Sequence, residues 1–134
     1  MEILSLLGRL VVAWLFIASG AGNLIRTGRV AAHARGRNVR RPRLVTLAAG
    51  IAMVGIGVAM ALGLWLDVTL ALGAGLLAGI AVTMHPFWTV AGLERERMNV
   101  QFWKDLALAG ALVVWLTYVV DTGAVPYGLT DPLF

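Results

Sequence analysis

The stretch LVTLAAGIAMVGIGVAMALGLWLDVTLALGAGLLAGIAVTMHP, residues 44–86, carries one charge, Asp67, between two apolar runs. Each run matches the roughly 20 residues that a helix needs to cross the hydrocarbon core of a bilayer. Neither run alternates with period two, which argues against strands. Two spanning helices joined by a single turn at Asp67 must run antiparallel, and His85-Pro86 stops the second of them. Working outward, Ile3 to Ile25 is apolar except for Arg9, and Phe102 to Val120 is apolar except for Lys104 and Asp105 near its start. The sequence therefore predicts helices at about 3–25, 44–66, 68–85 and 102–120. The expected fold is all-α: a polytopic membrane protein built as an antiparallel four-transmembrane-helix bundle, one membrane domain over residues 1–134. A transmembrane barrel would need about eight alternating strands, and the chain offers none.

Composition excludes several classes. Hydrophobic residues make up 60% and charged residues 13%, against about 25% charged in soluble domains. A water-soluble enzyme, a disordered tail and a disulfide scaffold are thereby ruled out. Cysteine is absent, so thiol chemistry, disulfides and iron–sulfur ligation are excluded. The net charge of +4 does not point to nucleic acid. In so apolar a chain, clustered arginine encodes topology and contact with anionic lipid.

The connections set the orientation. Residues 26–43 form an Arg-rich segment with Arg26, Arg29, Arg35, Arg37, Arg40, Arg41 and Arg43 and no acid, read here as a polar loop. Residues 86–101 are mixed, with Glu94, Arg95, Glu96 and Arg97, and the tail 121–134 is acidic, with Pro126 and Pro132 opposing further helix. Short basic loops stay in the cytoplasm. The first and third connections are therefore expected inside, and both termini and the tail on the extracytoplasmic side. A cleaved signal peptide at the start is not expected, because Met1-Glu2 lacks the positive n-region. Small residues at four-residue spacing, Gly55, Ala59 and Gly63, then Ala71, Gly75 and Gly79, predict close helix packing within the hairpin, or else an interface with a partner subunit.

Arg9 is the most anomalous residue. It lies about 9 Å along the helix from its outer end at 1.5 Å per residue. Intramembrane charge marks a functional candidate, whereas a long arginine so placed can also snorkel or pair with Asp67 or Asp121. At the cytoplasmic end, Asn23, His85, Trp88, Trp103 and Lys104 gather amide, imidazole and ammonium groups beside aromatic rings. That is one way to hold a quinone or lipid headgroup, with His85 handling the coupled proton. The plainer reading is an aromatic belt at the membrane interface. No metal is expected, since no ligand spacing exists. Haem is not expected, because only His33 and His85 are present and they do not face each other across two helices. The basic segment reads as topology and lipid contact, or as a docking surface for a soluble acidic partner.

Gly8-Arg9-Leu10 with Leu15-Phe16-Ile17-Ala18-Ser19-Gly20, then Met84-His85-Pro86-Phe87-Trp88 and Asn99-Val100-Gln101-Phe102-Trp103-Lys104-Asp105, resemble the DoxX/DoxD family. Asp105 stands where that family usually has Asn, and Asn38-Val39-Arg40-Arg41-Pro42 where it usually has a Gly-Val-Pro-like element. The resemblance implies a small four-helix protein of the prokaryotic plasma membrane, linked to quinone-dependent redox systems: a terminal quinol oxidase subunit, or thiosulfate:quinone oxidoreductases. The expected role is an accessory subunit of such a complex, with membrane lipids and other subunits as partners and quinone as the one candidate cofactor. The alternatives are a self-sufficient quinone-reactive oxidoreductase and a purely structural or lipid-binding bundle. Membership in a family speaks more to fold than to reaction.

Overall fold

A computed structural model describes residues 1–134. Its helices are α1 (Glu2–Ile25), α2 (Thr27–Gly36), α3 (Pro42–Leu62), α4 (Leu66–Met84) and α5 (Gly92–Thr122), with one 3-10 turn, Phe87–Thr89, between the last two. There are no strands. Spans Glu2–Ile25, Pro42–Leu62, Leu66–Thr89 and Gly92–Thr122 are each long and apolar enough to cross a membrane. Only 25 of the 134 residues are buried, too few for a chain that had to hide its apolar surface from water. Trp14, Ile51, Leu72 and Val114 are each more than half exposed, and these outward faces are the surface that lipid covers.

Three boundaries differ from the sequence expectation. The Arg-rich segment 26–43 is not a loop throughout: residues 27–36 form α2. Ala31 and Ala34 are buried against the bundle while Arg29 and Arg35 stay exposed. The segment is thus a short amphipathic helix whose alanines favour helix and whose arginines face outward. The fourth spanning helix begins at Gly92, ten residues before 102. Leu93, Glu94, Arg95, Glu96, Arg97 and Met98 are all helix formers, but the four charged residues among them lower the hydropathy, so hydropathy alone misses this first part. The hairpin turn occupies residues 63–65 rather than Asp67. Gly63 ends α3 at φ 64°, where its N–H bonds the Met60 carbonyl and the Leu64 N–H bonds the Ala59 carbonyl, a glycine C-cap. Asp67 then falls inside the first turn of α4.

The helices form two close pairs, α1 with α3 and α4 with α5; α3 meets α4 more sparsely, and α1 and α5 barely touch. The α1–α3 pair is set by glycine. A Cβ on Gly20 would sit 2.7 Å from the Gly50 carbonyl oxygen, and one on Gly57 would sit 2.8 Å from the Ala13 carbonyl oxygen. The small-residue faces expected to join α3 to α4 do not do so, because Gly55, Gly75 and Gly79 face open space. Gly55 lies two residues from Gly57, about 200° around the helix, on the far side from α1. The two pairs meet at Gly73 of α4, which Phe16 of α1 and Leu112 of α5 approach. Gly57→Ala should lower the melting temperature of the detergent-solubilised protein, at a cost of about 1–3 kcal/mol for overpacking. Gly55→Ala, which meets nothing, should leave it unchanged or raise it slightly.

Candidate functional site

The candidate residues divide between the two ends of the bundle. Arg9 belongs to the end that holds the α3–α4 turn and the C-terminal tail. It is buried, and it pairs with neither Asp67 nor Asp121. Its guanidinium donates instead to the carbonyl oxygens of Pro126, at 2.9 Å, and Tyr127, at 3.1 Å. Asp67, also buried, accepts the backbone N–H groups of Leu133, at 2.7 Å, and Phe134, at 2.9 Å. The tail is stitched further by Trp65 N–H to Thr130 Oγ1 at 2.7 Å and Leu129 N–H to the Leu62 carbonyl at 3.0 Å. Two opposite charges in the spanning helices therefore each hold tail backbone, through both terminal nitrogens of Arg9 and through Oδ2 of Asp67, while Arg9 Nε and Asp67 Oδ1 stay buried without a partner. A hydrogen bond to a charged group contributes about 1.5–3 kcal/mol, so these contacts hold the tail against the bundle.

The opposite end, beneath α2, holds the rest. Trp88 and Trp103 are each 55% exposed and Lys104 is exposed, so these three point away from the bundle, where an aromatic belt belongs. Their rings still do structural work. Phe87, Trp88, Phe102 and Trp103 stack edge to face with centroids 5.3–5.7 Å apart. That cluster ties the 3-10 turn to α5 and fixes the chain that leaves His85.

His85 and Asn23 turn inward. His85 Nδ1 lies 2.9 Å from Asp105 Oδ2, and both side chains are about three-quarters buried. An ionised carboxylate only accepts, so His85 donates Nδ1–H and Nε2 is the free nitrogen. The bond joins α4 to α5. Its residues line a cavity of about 300 Å³ between the two helix pairs, together with Phe16, Ser19, Asn23, Leu77 and Gln101. Leu15 of α1 and Gln101 of α5, both exposed, form its lips on the side where those helices barely touch. The floor is apolar and the rim carries amide, imidazole, hydroxyl and carboxylate groups, the usual make-up of a small-molecule site. Asn23 Nδ2 reaches only the thioether of Met53, at 3.7 Å, leaving its amide available.

Sequence reasoning named His85 and Asn23 but omitted Asp105, Gln101 and Ser19 from the site. Asp105 stands twenty residues after His85, at a position where an acid departs from the family habit, and an acid in an apolar helix was the signal. Arg9→Gln should free the tail. Chymotrypsin cleavage after Tyr127 should then become fast in the folded protein, with a loss of stability on the order of 2 kcal/mol.

A family model named DoxX matches residues 4–86, from α1 to Pro86 just past α4, and leaves out α5 with Asp105. No curated protein and no solved structure matches the chain. The family match covers more than half of the sequence and agrees with the four spanning helices, and this multi-pass membrane protein belongs to the DoxX family.

Proposed function

We propose that the chain is a small subunit of a quinone-linked redox complex in a prokaryotic plasma membrane, and that the cavity beside His85 takes the quinone headgroup. The His85–Asp105 hydrogen bond on the wall of a cavity between spanning helices carries the reading. A polar couple among apolar helices is costly even when its members pair, and it marks function by default. The cavity's volume, about 300 Å³, lies at the lower bound of about 300–1,000 Å³ for ligand pockets. It suits one ring, with an isoprenoid tail left in lipid through the gap between α1 and α5.

When bound, the quinone supplies two-electron, two-proton redox chemistry. The chain's own residues bind and manage protons. Asn23 and Gln101 offer amide N–H donors to ring oxygens. Asp105 fixes the imidazole orientation and stabilises the ring when it is protonated. His85 Nε2 is then the atom that gives or accepts a proton. Phe16, Leu77 and Leu108 exclude bulk water from the ring. Electrons come from partner chains, because this chain has no cysteine for an iron–sulfur cluster. Orientation follows the arginines: α2 rests on the cytoplasmic face, where its basic side meets anionic headgroups or a soluble acidic partner.

The test is purification from native membranes in mild detergent, with mass spectrometry of co-eluting proteins and extracted lipids. The expected eluate contains redox subunits and near-stoichiometric quinone. His85→Ala and Asp105→Ala should deplete the quinone while the partner subunits stay bound. Quinone without partners would point to a self-sufficient oxidoreductase. Quinone no richer than in the surrounding lipid would overturn the reading and leave a structural bundle.

A further inference from the structure

A second cavity lies directly under α2 and shares a wall with the first. It measures about 240 Å³ and is bounded by Asn23, His33, Thr46, Thr83 and His85, with apolar side chains filling the gaps. Asn23, Ile80 and His85 line both cavities, so the imidazole stands in the partition between them.

Three observations say what fills this space. Thr46 is 2% exposed, and its Oγ1 has no hydrogen-bond partner although it borders the cavity. A buried hydroxyl left unpaired costs about 1–3 kcal/mol, and a water in the cavity removes that cost. His85 Nε2 has no protein partner either, yet it is not among the fully enclosed polar atoms, so it retains access to space the size of water. Asn23, Thr83 and the two imidazoles complete a polar set, and a cavity holds water when it offers two to four such partners. The mouth is at His33. This residue is exposed, sits on α2, and donates from Nε2 to the Met84 carbonyl at 3.3 Å, one residue before His85. The lid is fixed: Arg37 at the end of α2 pairs with Glu94 at 3.1 Å and reaches Met98 of α5.

We propose that the cavity under α2 is a water-filled vestibule through which His85 exchanges protons with the solution on the α2 side, entering at His33 and passing the Thr46 hydroxyl. The inference rests on the quinone reading for its purpose, since two protons must reach a site closed to bulk water. Its geometry does not need quinone. The route conserves charge and atoms at each step: a hydrated proton from the α2 side protonates His85 Nε2 and leaves water behind, Nδ1–H keeps its hydrogen bond to Asp105, and the Nε2 proton then passes to an acceptor oxygen in the first cavity, which restores the neutral imidazole. The groups facing His85 are few. Asp105 comes from α5 and His33 from α2, while α1 and α3 offer only neutral polar groups, Ser19, Asn23 and Thr46. If α2 faces the cytoplasm, protons for the site come from that side.

Deuterium exchange at the imidazole C2 position, followed by mass spectrometry on the quinone-free protein in detergent, tests the route. Wild-type His85 should exchange at a rate comparable to the exposed His33. Ala49→Phe, which fills the vestibule from α3, should slow His85 by an order of magnitude and leave His33 unchanged. Thr46→Val, which keeps the shape and removes the hydroxyl, should slow His85 several-fold. Leu108→Phe fills the other cavity and should abolish quinone retention without slowing His85. A wild-type His85 that does not exchange, or one whose rate survives both vestibule variants, would overturn the vestibule. Loss of quinone binding in every preparation, with exchange intact, would overturn the quinone reading alone.

Discussion

The backbone contact of α1 with α3 is the constraint on which the remaining architecture depends. In lipid there is no hydrophobic drive to bring helices together, so close approach of backbones must supply the association. Gly20, Gly50 and Gly57 permit it. α1 turns Gly20 to α3 and makes no comparable approach to α5, so the ring of helices stays open on that side. The opening is what gives the first cavity a lateral mouth toward lipid. Phe16 then reaches across to Gly73 and Leu112, closing the core below the cavity and setting its floor.

The two ends of the bundle solve one problem in different ways. Polar and charged groups at membrane depth need partners. At the tail end, Arg9 and Asp67 bind backbone carbonyls and N–H groups of residues 126–134. The tail covers that end, and Arg9 Nε and Asp67 Oδ1 stay buried there without a hydrogen-bond partner. At the α2 end, His85 and Asp105 satisfy each other with one bond, and Asn23, Gln101 and Thr46 keep unused capacity beside open space. Arg9, the most anomalous residue in the sequence, clasps the tail through Pro126 and Tyr127.

The family assignment and the site also divide the chain. The matched residues 4–86 carry Asn23 and His85. Asp105, which orients His85, lies in α5 beyond them. A carboxylate there can hold an imidazole in one tautomer and stabilise its charged form, which an amide does less strongly.

Apolar runs near 20 residues, broken by Asp67 and by His85-Pro86, determined a four-span helical bundle from sequence alone, since lipid admits no other way to satisfy a spanning backbone. His85 and Asn23 were legible because polar side chains in such runs are few. The helical nature of 27–36 and of 92–101 was hidden by charge, for hydropathy reports the solvent of a segment rather than its backbone conformation. The partners of Arg9 and Asp67 were beyond reach, because backbone atoms of a tail more than sixty residues away leave no trace in side-chain pattern. The packing glycines were misassigned for the same kind of reason: spacing shows that residues share a face, and only the tertiary fold decides which face meets a neighbour. It alone brought Asp105 to His85 and placed one imidazole between two cavities.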